Sequence, residues 1–198
     1  MGFPQHLGIC KLRAKIRDLD CRRTGVKTIL VVLLLLETAL SQTKSDVVSA
    51  PGCGTENSKY SVKTDKSQHP AAQPEKDKAL VYFLEDDSSF ESRPLPTTRL
   101  GVDGKWVGAN HGDSYFYVEV APGEHHLCAS WQSWVGFGMR ETGAAAHFTA
   151  EPGQTYYFRV RNTWLREHKV TRVELNPVDS DEGQLLASRY AFSSSQPK

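Results

Sequence analysis

The sequence predicts an all-β domain, a β-sandwich with a short C-terminal helix. Three observations point there. Beyond residue 78, apolar and aromatic residues recur at alternate positions in short runs, the period of a strand with one buried face. Turn dipeptides separate those runs, namely Asp103-Gly104, Pro122-Gly123 and Pro152-Gly153. Helical periodicity is nearly absent, so two sheets closing over one apolar interior is the architecture left.

The chain opens with residues 1–41, which read as an export leader. Arg22, Arg23 and Lys27 precede an apolar run, and Ala39-Leu40-Ser41 supplies small residues where a signal peptidase cuts. The run is well short of the roughly twenty residues that span a hydrocarbon core, so the expected membrane contact is through an uncleaved leader only. Residues 1–25 make a long basic preface; a true start near Val26 gives a compact leader instead. The expected location is extracytoplasmic, periplasmic or secreted. Net charge is +1, and the basic excess lies in the leader, which argues against a nucleic-acid partner.

Residues 42–78 are polar and rich in Pro, Gly, Ser and Lys, too poor in apolar surface to offset ordering, and read as a flexible linker arm. Within it, Tyr60-Ser61-Val62 is expected to lean on the domain as one short strand. The domain proper is expected over 79–190. Residues 79–86 (ALVYFLED) read as a central strand ended by Asp86, Asp87 and Ser88, and residues 90–96 as a Pro-broken connection. Residues 97–102 turn at Asp103-Gly104, a hairpin signal because primed turns need φ > 0; Trp106 then starts the return strand.

In residues 114–120, Phe116, Val118 and Val120 share one face while Tyr115, Tyr117 and Glu119 share a wetter one. After Pro122-Gly123, His125, Leu127 and Ala129 oppose His126, Cys128 and Ser130. Residues 131–138 show no clean period. Residues 147–150 lead to the Pro152-Gly153 corner, and residues 155–160 alternate Tyr156, Phe158 and Val160 against Tyr157 and Arg159. Residues 170–175 are expected as the last strand, with Arg159, Arg161 and Arg172 blunting sheet edges. A helix over 181–190 is expected, capped by Asp181 or Ser180, with Leu185 and Leu186 inward. Residues 191–198 read as a tail.

Candidate chemistry is sparse. Cys53 and Cys128 would lie in a compartment where disulfides persist, and three readings stand open: a bonded pair, two free thiols, or a lipid on Cys53. The last is disfavoured by Pro51 and by the distance from the apolar run. Adjacent His125 and His126 point to opposite faces of a strand, and no zinc-type spacing occurs. His126 and Cys128 share a face, but no third group orients them as a nucleophile pair. Glu85-Asp86-Asp87 reads as a solvated strand end. No catalysis, metal or cofactor is expected. Aromatic residues exceed what one core needs, and Trp131, Trp134 and Phe137 are the expected contact surface for a partner.

The ordered set KALVYF, VDGKWVG, YFYVEVAPGEHHLCA and FTAEPGQTYYFRV resembles the domain-of-unknown-function family 2846 of exported and lipoprotein-type bacterial proteins. Part of it is also similar to PEGA-type surface repeats, which are small β-sandwiches of the immunoglobulin or transthyretin kind, so the resemblance implies an immunoglobulin- or transthyretin-like sandwich. The resemblance implies a fold and a compartment, and supplies no catalytic residues. A convincing lipobox is missing, which departs from the lipoprotein members. The expected function is an exported cell-envelope binding or structural module whose partner is an envelope protein, peptide or glycan. The alternative is a metal-binding protein or hydrolase with a site around His125, His126 and Cys128. Pairing of edge strands between copies is a third reading, and the oligomeric state is not legible from the sequence.

Overall fold

The computed structural model describes residues 53–55, 57–132, 143–168 and 170–198. In chain order these form β1 (Tyr60–Asp65), β2 (Ala79–Phe90), β3 (Thr97–Val102), β4 (Lys105–His111), β5 (Ser114–Val120) and β6 (Gly123–Trp131). They continue as β7 (Gly143–Ala150), β8 (Thr155–Leu165), β9 (Val170–Val178), helix α1 (Ser180–Arg189) and β10 (Ala191–Pro197). Two sheets result, ordered β1-β10-β5-β2-β8-β9 and β4-β3-β6-β7. The fold is a β-sandwich with one short helix near the C-terminal side of the described chain.

Alternation builds the interior. Val81 and Phe83 of β2, Phe116 and Val120 of β5, and Phe158 and Val160 of β8 face Leu100, Leu127, Ala129 and Trp131 of the smaller sheet. A tight turn fixes the hand-over between β3 and β4. Asp103 (φ 50°) and Gly104 (φ 78°) close the β3–β4 hairpin in the left-handed region, where the missing Cβ of glycine removes the clash.

The larger sheet is buried on its outer face as well, and this is where the structure departs most from the sequence reading. Leu80, Tyr82, Leu84 and Tyr115 form a second apolar cluster, covered by Ala72, Leu186, Ala187, Tyr190 and Phe192. The face of Tyr115 and Tyr117 is therefore largely covered rather than wet. α1 is capped by Asp179, whose side chain accepts from the Glu182 N–H, rather than by Ser180 or Asp181. Leu186 packs inward as expected, but Leu185 is exposed. The close seat of α1 depends on Gly183, where a Cβ would lie 2.2 Å from Tyr157 Cγ.

Both ends of the expected domain extend further. Residues 191–197 are not a tail; they form β10, which pairs antiparallel with β1 along its whole length and parallel with β5 at Ala191 and Phe192. Val170–Val178 is thus not the last strand. β1 is longer than the three residues expected. Residues 53–55 and 57–59 lie along the smaller sheet: Trp106 Nε1 donates to the Thr55 carbonyl at 2.8 Å, and Arg99 Nη1 to the Ser58 carbonyl at 2.8 Å. Arg99 stacks over the Trp106 ring at 4.5 Å. Much of the segment read as linker is bound to the sandwich because its backbone groups find partners there. Arg159 and Arg161 do not blunt an edge, since β8 lies between β2 and β9; Arg172 does lie on the edge strand β9.

Candidate functional site

Three neighbouring strands place tyrosines side by side on the outer face of the larger sheet. Tyr82 of β2 is paired in register with Tyr117 of β5 and with Tyr157 of β8. Its ring stacks on Tyr115 (centroids 5.9 Å, planes 23° apart) and on Tyr157 (5.0 Å, 30°). Because the rings stack on one another, their edges and hydroxyls are left to meet whatever lies above the sheet.

Above them pass α1 and residues 69–73. The Ala72 N–H donates to the Tyr82 hydroxyl at 3.3 Å, and His69 Nδ1 lies 3.3 Å from the Ala187 carbonyl. These two roofs leave a cavity of about 580 Å³, within the size range of small-molecule sites. Tyr82, Tyr115 and Tyr157 line it together with Gln73, Gln154 and Gln184, and no Asp, Glu, Lys or Arg does so. Tyr115 is only 2% exposed. Burial, with Tyr82 and Tyr117 adding to it, pushes the Tyr115 phenol up to about 12.

A second polar cluster lies between the sheets. Glu85, Asp87, Thr98 and Asn162 are all buried. Asn162 Nδ2 sits 2.8 Å from Glu85 Oε1 and 2.7 Å from Asp87 Oδ1, and Thr98 Oγ1 donates to Glu85 Oε1 at 3.0 Å. Trp131 Nε1 donates to Asn162 Oδ1 at 2.7 Å. Burial, then the neighbouring Asp87, pushes Glu85 well above the ordinary carboxyl range; burial likewise raises Asp87 to about 7. The protonated forms are the ones such a site favours. The reading of Glu85-Asp86-Asp87 as a solvated strand end is corrected here: β2 runs on to Phe90, and alternation carries Glu85 and Asp87 inward.

The residues singled out from sequence fall as follows. Trp131 is 5% exposed and belongs to the core, because it continues the inward series His125, Leu127, Ala129; it offers no contact surface. Trp134 and Phe137 lie outside the described residues. Cys53 and Cys128 are joined in a disulfide with Cα atoms 5.0 Å apart, so Cys128 has neither a nucleophilic nor a ligating sulfur. His125 has Nδ1 at 2.7 Å from Asp103 Oδ2 and Nε2 at 2.6 Å from the Ala121 carbonyl; neither nitrogen is left for a metal. His126 faces the other way, beside His147. Among the described residues no three His, Cys, Asp or Glu side chains converge to hold a metal ion. A site built on His125, His126 and Cys128 is therefore not formed.

Sequence reasoning missed Tyr82 as a lining residue, although its outward period on β2 was legible. No motif marked Gln73, Gln154 or Gln184, which reach the cavity from three separate segments. No helix among the described residues is long and apolar enough to cross a membrane.

Nothing among the curated proteins or the solved structures matches this chain. A family model does match it, over residues 75–173, a span running from just before β2 into β9 that takes in the tyrosine row and the buried carboxyls. The chain belongs to the family described as Protein of unknown function (DUF2846).

Proposed function

We infer that this protein is an exported cell-envelope binding module, without catalysis, whose ligand enters the cavity between the tyrosine row, α1 and residues 69–73. The observation that carries the reading is the cavity of about 580 Å³ itself, lined by Tyr82, Tyr115 and Tyr157 and large enough for a small molecule. The compartment is supported by the leader-like residues 1–41 and by the Cys53–Cys128 disulfide, a bond that persists in oxidising surroundings.

A photo-crosslinking amino acid at Ser188, which lines the cavity, tests both parts in cells producing the full chain. The expected outcome is an adduct with an extracytoplasmic envelope component, with Cys53 and Cys128 protected from alkylation. Recovery in the cytoplasm with both thiols free would overturn the compartment. Absence of any adduct from a properly localised protein would overturn the binding role.

A further inference from the structure

We propose that His126 and His147 bind a copper(II) ion between them, across the β6–β7 pair on the outer face of the smaller sheet. The site lies on a different sheet from the cavity and does not rest on the binding-module reading.

Register brings the two rings together. His126 of β6 stands directly opposite His147 of β7. In an antiparallel pair both backbone groups of a residue point toward the same neighbour. Those of His126 point away from β7: its carbonyl accepts from the Asp103 N–H at 2.9 Å, and its N–H donates to Asp103 Oδ1 at 2.9 Å. The facing pair is therefore of the non-hydrogen-bonded kind, in which side chains approach most closely. Alternation sends His125, Leu127 and Ala129 inward, so His126 projects outward; it and His147 are both exposed. Their ring centroids are 6.4 Å apart and their planes 46°. Metal–nitrogen bonds of about 2.0 Å need the rings to swing closer, a rotation open to two exposed side chains on a backbone that Asp103 already holds.

The donor set selects the ion. Imidazole nitrogen suits copper, nickel and zinc, whereas calcium and magnesium demand oxygen. Among the described residues no three His, Cys, Asp or Glu side chains converge, so this is a two-nitrogen site and not the three- or four-ligand cage of a zinc centre. Copper(II) stands highest in the affinity order for such sites and takes a tetragonal geometry whose other positions water can fill. Glu124, two residues before His126 and so on the same face, adds a nearby carboxylate: its Oε1 lies 3.9 Å from His126 Nε2. Two other candidates are spent. Cys128 is in its disulfide, and His125 is held by Asp103 and Ala121.

Calorimetric titration of the full chain with CuCl2, ZnCl2 and CaCl2, any free thiol first capped with iodoacetamide, tests the site. Cu2+ should bind one to one with a Kd in the micromolar range, Zn2+ more weakly, and Ca2+ not at all. His126→Gln and His147→Gln should each weaken Cu2+ binding by about tenfold or more, with urea midpoints unchanged because both rings lie outside the core. His168→Gln, at another exposed histidine, should leave the affinity as it was. Electron paramagnetic resonance of the copper complex should show two imidazole nitrogens in the native chain and one in either variant. Cu2+ binding that is absent or only millimolar would overturn the site, as would binding that survives both substitutions or that Ca2+ equals. A single-nitrogen spectrum in the native chain would overturn the pairing of the two rings.

Discussion

Trp131 donates its indole N–H to Asn162 Oδ1 at 2.7 Å, and this bond decides which end of the Asn162 amide faces Glu85 and Asp87. An indole can only donate. The amide oxygen must therefore turn toward β6, leaving Nδ2 to serve the two buried carboxyl groups. One ring thus fills the core and also sets the orientation of the Asn162 amide on β8.

Truncating that ring should be costly. Trp131→Ala is expected to destabilise the fold by about 3–5 kcal/mol, as for other large-to-small aromatic changes in cores. Trp131→Phe keeps most of the volume and loses the donor, and should cost about 1–2 kcal/mol. Urea unfolding midpoints measure both. A Trp131→Ala protein with an unchanged midpoint would falsify the assignment to the core.

Asp87 should make stability fall as pH rises through the mildly acidic range. Its folded value of about 7 lies above the ordinary 3.8, so between these limits the native state keeps a proton that the unfolded chain releases. The contribution is full below pH 4, declines as pH approaches 7, and is level above that. Its size is on the order of 4 kcal/mol. Asp87→Asn should flatten that decline in urea titrations run at pH 4.5 and 7.5; an identical slope in both proteins would assign it elsewhere.

The imidazole of His125 faces two acceptors, the Asp103 carboxylate and the Ala121 carbonyl. Burial opposes the charged ring, but those two partners outweigh it and raise the pKa above 6.5. The stabilisation is thus complete below pH 6.5 and disappears as pH climbs through the folded value, a window above that of Asp87. His125→Gln should cost about 1–2 kcal/mol at pH 6, with Asp103 half-exposed and partly screened, and the gap to the native protein should close by pH 9. Thermal melts at the two pH values would show it; a gap that is constant in pH would mean that ordinary packing accounts for it.

Cys53→Ser removes a cross-link closing a separation of 75 residues. The chain-entropy account expects a loss of about 4 kcal/mol. Amide exchange should rise over residues 53–55 and 57–59, where Thr55 and Ser58 hold Trp106 and Arg99, and stay slow in β2 and β8. Equal protection with and without the bond would show that the disulfide adds nothing to the hold of this segment.

Period two made the sandwich legible, along with its turns, its inner face and the helix. The same rule, applied one residue further, would have placed Trp131 inside after Ala129 and Asn162 inside after Val160. An aromatic residue without a clean run after it reads as surface, and acidic residues at the end of an apolar run read as solvated; distant partners reverse both. The burial of Glu85 depends on Thr98 and Asn162, which lie 13 and 77 residues away; no local pattern announces such partners. The cavity was hidden for a similar reason. Its roof comes from a segment that composition assigns to linker, and only the contacts of Ala72 and His69 bring that segment over the tyrosines.

β10 occupies a slot between β1 and β5, and it reaches the opposite sheet too, where Ser195 Oγ accepts from the Ala109 N–H and Ser193 Oγ donates to the Ala109 carbonyl. Until residues 191–197 have emerged from the ribosome, β1 has no strand to pair with, and the sheet ends at β5.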